Sequence, residues 1–101
     1  MPMIDARRME VYIAAFNNKA EMHTSISAEV IDAEFFDANK EIILIGDGAK
    51  KCNAVIPANV RIENHLSSSK GMTNLSYLKF SRKEFEDVAY FEPFYLKSFK
   101  F

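Results

Sequence analysis

Cysteine and histidine are the side chains best suited to hold a soft metal or to pair a nucleophile with its base. This chain has three of them: His23, Cys52 and His65. Their spacing matches no zinc pattern, and a structural zinc site takes four ligands. A Cys–His nucleophilic pair requires the two groups within hydrogen-bond reach, which the spacing does not imply. Asp37-Ala38-Asn39-Lys40-Glu41 begins like a calcium loop, with oxygen ligands at alternate positions. The sixth position is Ile42 rather than glycine and the twelfth is Gly48 rather than glutamate, so the stretch reads as a turn. Gly46-Asp47-Gly48-Ala49-Lys50-Lys51 offers amides and two ammonium groups to a phosphate. It lacks Walker spacing, and its setting predicts a hairpin rather than a strand entering a helix. Asp32, Glu34, Asp37 and His65 are the remaining acid–base candidates, useful only where burial shifts one of them. No acid, base and nucleophile stand together, so the expectation is a chain that is not an enzyme and takes no cofactor and no metal.

The chemistry the sequence favours is contact. Nine of the thirteen aromatic residues fall in the last 25 positions: Tyr77, Phe80, Phe85, Tyr90, Phe91, Phe94, Tyr95, Phe99 and Phe101. Rings bury more area than other side chains, so they mark either a core or an interface. Lys79, Arg82, Lys83, Lys97 and Lys100 are interleaved with them. Rings among cations suit hot-spot pockets on a protein, and also single-stranded nucleic acid, where rings stack on bases and cations track phosphates. As a strand, residues 94–101 would place Tyr95, Lys97, Phe99 and Phe101 on one face and Phe94, Leu96, Ser98 and Lys100 on the other. The alternative is a terminal strand closing the sheet, its lysines reaching back to water.

A chain of 101 residues is expected to form a single domain over 1–101, with one core and little room for a separately walled cleft. Hydrophobic content of 49% with 27% charged residues argues against global disorder. The net charge of −1 supplies no strong field towards DNA or an anionic membrane. The charge is uneven: residues 1–50 carry nine acids and five bases, residues 51–101 five acids and eight bases. The lone Cys52, the charged first ten residues and the lack of a long apolar run predict a reducing, cytoplasmic setting without membrane insertion.

These residues need elements to position them. Met9, Tyr12, Ile13 and Phe16 fall at i, i+3, i+4 and i+7, which predicts a helix near 5–17; a strand from Glu10 to Phe16 competes with it. Residues 24–31 alternate, with Ile26, Ala28 and Val30 expected inward. The aliphatic run Ile42–Ile45 and the stretch Lys50–Ile56 complete an antiparallel meander over 24–57, turning at Asp37–Lys40 and Gly46–Gly48. Pro57 ends it, and Val60 and Ile62 return briefly to extended chain. Ser67–Gly71 reads as a solvated linker. Residues 75–80 alternate again, with Leu78 and Phe80 inward. Ser81 with Glu84 forms a capping box, and Phe80 with Phe85 the matching staple, so a helix is expected near 82–91, stopped before Pro93.

The stretch from Ser27 to Ile62 resembles the core of small SH3-like or Sm-like barrels, a resemblance carried by Val55-Ile56-Pro57-Ala58-Asn59-Val60-Arg61-Ile62. It implies a barrel-like closure and no particular function. The expected fold is α+β: a curved antiparallel sheet, or small barrel-like meander, of five or six short strands with the helices above. The expected core draws on Tyr12, Ile13, Phe16, Ile26, Val30, Phe35, Ile43, Ile45, Val55, Leu78, Phe80, Phe85 and Val88. The expected function is a small non-enzymatic adaptor, inhibitor or regulator, of the size common among phage and bacterial accessory proteins. It would dock on a protein partner, or on itself as a homodimer, through Tyr90, Phe91, Phe94, Tyr95, Lys97, Phe99, Lys100 and Phe101. The alternative is a single-stranded nucleic-acid binder on a small β-barrel.

Overall fold

A computed structural model of the chain describes residues 1–97. The chain is a small α+β protein and divides into two compact units, Met1–Leu66 and a second beginning at Ser67. The first holds all five described strands: β1 (Met3–Asp5), β2 (Glu10–Ile13), β3 (Ser27–Val30), β4 (Ile42–Leu44) and β5 (Val60–Ile62).

Strands β1, β2 and β3 form an antiparallel sheet in that order. The helix expected near 5–17 is therefore replaced by a hairpin. Tyr12 and Ile13 are β-branched or aromatic residues that suit a pleated surface. The turn between β1 and β2 places Arg7 and Arg8 at φ 85° and 52°. That left-handed geometry ordinarily calls for Asn or Gly. It is held by Asp5, whose Oδ1 accepts from the Arg7 amide at 2.8 Å, and by the Ala6 amide on the Glu10 carbonyl at 3.1 Å. The β2–β3 connection is capped by Asn17, whose Oδ1 accepts from the amides of Lys19 and Glu21. Ile13 opposes Ser27 but Phe16 opposes Met22, three steps against five, so the chain bulges before β3.

Strands β4 and β5 pair in parallel, Ile42 opposite Val60 and Leu44 opposite Ile62. The predicted antiparallel meander and its third strand at 50–56 are thus corrected. Lys50–Ala54 is a 3-10 helix, and the crossover it belongs to supplies the long connection that a parallel pair requires. Gly46–Gly48 leads into that helix rather than into a hairpin. Among the described residues no closed barrel forms, so the likeness to small barrels ends with local alternation. The Asp37 turn is as expected: its carboxylate accepts from the Asn39 amide, and Asn59 Nδ2 clamps the carbonyls of Asp37 and Lys40 at 2.8 and 2.6 Å.

The start of the chain joins the two sheets. Pro2 bridges Ile45 in parallel, the Met3 amide donates to the Ile45 carbonyl at 2.8 Å, and the Gly48 amide donates to the Met3 carbonyl at 3.1 Å. The core gathers around this junction: Met3, Val11, Ile13, Ile31, Phe36, Ile42, Leu44, Ala49, Cys52 and Val60 are buried. Of the expected core, Ile13 is buried, whereas Phe16, Ile26, Val30 and Ile43 are exposed. The error is one of parity. Val11 and Ile13 point inward, and their partners across the ladder are Glu29 and Ser27, so Ala28 and Val30 face outward with Ile4 and Tyr12.

Lys51 closes the first hairpin over this core. Its Nζ donates to Asp5 Oδ1 at 2.5 Å and to the Glu10 carbonyl at 2.6 Å. The hydrogen bond from Lys51, helped by the Arg7 amide, holds the Asp5 carboxyl below the usual carboxylate range. Cys52 is fully buried as a small apolar side chain, its thiol 3.5 Å from the Gly48 carbonyl, and burial pushes that thiol upward. An alkylating reagent should therefore label Cys52 in the native chain at least about a hundredfold slower than in urea. Equal rates, read by mass spectrometry, would contradict this packing.

Candidate interaction surface

The second unit starts from a serine cap. Ser68 Oγ accepts from the Lys70 amide at 3.2 Å and opens a 3-10 turn, Ser69–Met72, which runs into α1 (Thr73–Ser81). The stretch expected as a solvated linker at 67–71 is exposed, with a 3-10 turn from Ser69, and the alternating strand expected at 75–80 is replaced by α1. Leu75, Tyr77, Leu78 and Phe80 are distributed around its whole circumference, and each is exposed. Polar Thr73, Asn74, Ser76, Lys79 and Ser81 are interspersed among them, so the helix has no single apolar stripe with which to pack on a core. A nine-residue helix is also too short to hold itself in water without tertiary cover.

The helix expected near 82–91 is absent, because Ser81 serves the end of α1 rather than the start of another helix. Its Oγ donates to the Tyr77 carbonyl at 2.9 Å. Beyond it the Lys83 amide bonds the Phe80 carbonyl at 3.0 Å and the Glu84 amide bonds the Lys79 carbonyl at 2.9 Å. This is the Schellman pattern, with Lys83 at φ 58° in the place usually held by glycine. The staple pair does meet, Phe80 and Phe85 edge to face at 5.7 Å, but across a helix C-terminus. Lys83→Gly removes a side chain from left-handed backbone and should stabilise α1 by about 1 kcal/mol. The check is a raised helical signal at 222 nm in the full chain; a loss would mean that Lys83 holds the turn by its side chain.

Asp87 then builds a tight turn. Its Oδ1 accepts from the Ala89 amide at 3.0 Å, and its carbonyl from the amides of Tyr90 and Phe91 at 3.0 and 2.8 Å. Residues 91–97 follow without regular secondary structure. The expected contact residues in this part are open to solvent: Tyr90 is 85% exposed, Phe91 62%, Phe94 75% and Tyr95 76%. Lys97 is exposed as well. Phe99, Lys100 and Phe101 lie outside the described residues. Leu78, Phe80, Phe85 and Val88, expected in the core, join the exposed set. The alternation at 75–80 implies a strand that turns Leu78 and Phe80 inward, and the Ser81–Glu84 spacing implies a helix that buries Phe85 and Val88; neither element forms.

The chemistry-bearing residues are dispersed. Asp32 caps the 3-10 turn Ala33–Phe35 through the Glu34 amide at 3.0 Å, His65 Nε2 lies 3.3 Å from Glu63 Oε2, and His23 is exposed. Among the described residues no three of His, Cys, Asp and Glu converge in metal-ligating geometry. No helix among them is long and apolar enough to cross a membrane. Compared with known proteins, the chain matches no family model, no curated protein and no solved structure.

Proposed function

We propose that this chain is a small non-enzymatic binding protein, an adaptor, inhibitor or regulator, that docks on a protein partner through the apolar surface of its second unit. The observation that carries the reading is the exposure of Tyr90, Phe91, Phe94 and Tyr95 beyond a helix whose own Leu75, Tyr77, Leu78 and Phe80 are exposed. Burying one such ring is worth about 1.5–3 kcal/mol, so a partner covering several of them gains enough to order a short helix. Rings at the centre of an interface act as anchors, and Lys79, Arg82, Lys83 and Lys97, interleaved with Glu84, Glu86, Asp87 and Glu92, supply a charged rim of both signs. A homodimer through the same segment is a variant of this reading.

The test is crosslinked capture from the native cell with the full chain, compared with a chain lacking 94–101. The expected result is a defined captured protein that is lost with the deletion while Cys52 stays protected. Capture that survives the deletion, or that weakens steeply with the logarithm of salt and releases nucleic acid, contradicts it.

A further inference from the structure

A second binding surface lies on the first unit, at the open edge of β3. Among the described strands the sheet order β1-β2-β3 leaves β3 with one neighbour. The Ile31 amide donates to the Met9 carbonyl at 2.9 Å, which fixes the phase of the ladder. Hydrogen-bonded pairs recur every second residue, so Glu29 and Ser27 bond towards β2, opposite Val11 and Ile13. Ala28 and Val30 therefore direct their amides and carbonyls away from the sheet. Two residues in phase are a template for an added strand.

Ser27 and Glu29 of this strand line a recess of ≈ 180 Å³ together with Met1, Ile13, Ala15, Thr24 and Phe35. That is smaller than a drug-sized ligand pocket and suits a single side chain. Glu29 is half-buried at its rim and has no ion pair among the described residues. Residues 1–66 carry ten acids and seven bases, so the surrounding field also favours a cation.

We propose that the edge of β3 takes an extended peptide in which a Lys or Arg lies two residues from a large apolar side chain. The outward groups of Ala28 and Val30 hold the peptide backbone. The peptide residue opposite Glu29 then lies on the same face as Glu29, and the cation meets the carboxylate there. The apolar side chain, one period along and opposite Ser27, enters the recess between Ile13 and Phe35. The alternation of strand side chains sets the spacing of two. Every residue of this site belongs to the first unit.

The probe is an acetylated heptapeptide, Thr-Phe-Thr-Lys-Thr-Phe-Thr, labelled for anisotropy, so that Lys is flanked by Phe in either direction. The full chain should bind it at least tenfold tighter than the analogue with Glu in place of Lys. Glu29→Gln should shrink that ratio below about threefold, equivalent to losing one charge-assisted contact. Methylating the backbone nitrogens along one edge of the peptide should abolish binding, and along the other edge leave it intact. Each variant is used only if Cys52 remains protected. Equal affinity for the Lys and Glu peptides, or indifference to methylation of both edges, overturns the proposal. So does loss of binding in a chain carrying Phe91→Asp and Tyr95→Asp, which would move the site to the aromatic segment.

Discussion

Gly46→Ala lowers the unfolding free energy of the first unit by about 3 kcal/mol or more, the largest loss expected from any single methyl group in the chain. Two costs combine. Gly46 sits at φ +101°, where an L-residue is strained by roughly 1–2 kcal/mol. A Cβ there would also lie 2.3 Å from the Met3 carbonyl oxygen, which is backbone and cannot rotate aside. Relieving the clash means moving Met3, and Met3 is 1% exposed at the centre of the core. It also means stretching the Met3–Ile45 and Gly48–Met3 hydrogen bonds that join the sheets. A unit of this size has only about 5–15 kcal/mol in total. Gly48→Ala is the milder neighbour, with its Cβ 2.9 Å from the Ile4 carbonyl carbon and no positive φ. Gly71→Ala is the control, since nothing lies within 4 Å of its Cβ. The measurement is urea unfolding of the full chain followed by Cys52 labelling. The expected order of stability is Gly71→Ala at or above wild type, then Gly48→Ala, then Gly46→Ala. A Gly46→Ala chain as stable as wild type would mean that β1 does not cross this turn as described.

Phe91→Asp with Tyr95→Asp abolishes partner capture, with a loss of at least about a hundredfold in affinity, and leaves the first unit intact. Central interface rings cost about 2–4 kcal/mol each when removed, and a carboxylate adds the penalty of burying a charge. In the isolated chain both positions face water, so the same changes should cost the fold within about 0.5 kcal/mol. The separation of the two effects distinguishes an interface from a core. Capture is read by crosslinking and mass spectrometry, the fold by Cys52 protection. A double variant that exposes Cys52 places those rings in the core and removes the docking reading.

Local chemistry in this sequence was legible where it was self-contained. The Asp37 turn, the extended runs at 42–44 and 60–62 and the burial of Cys52 follow from a few neighbouring residues each. Parity was not legible. Ile42–Ile45 is aliphatic on both sides of the pleat, so nothing in the run says whether Ile42 or Ile43 points inward; the bridge to Pro2 and the pairing with β5 decide it. The same holds for β3, where the ladder with Val11 and Ile13 turns Glu29 rather than Val30 inward. Turn chemistry was hidden where left-handed backbone is carried by Arg7, Arg8 and Lys83 in place of glycine. The helical spacing of Met9, Tyr12, Ile13 and Phe16 is a coincidence on a hairpin, and the Ser81–Glu84 spacing is shared by a helix beginning and, here, a helix ending. The aromatic surface was legible as composition. Its extension back to Leu75 and Tyr77 required knowing that 73–81 is helical.

Hydroxyl-radical footprinting of the dilute monomer, its mass verified by light scattering, tests the central claim most directly. Phe36, 5% exposed in the core, is the internal standard for a protected ring. Phe85, Tyr90, Phe91, Phe94 and Tyr95 should oxidise at least about tenfold faster than Phe36 once corrected for intrinsic reactivity. Rings at 85–95 as protected as Phe36 in the lone monomer would contradict the account.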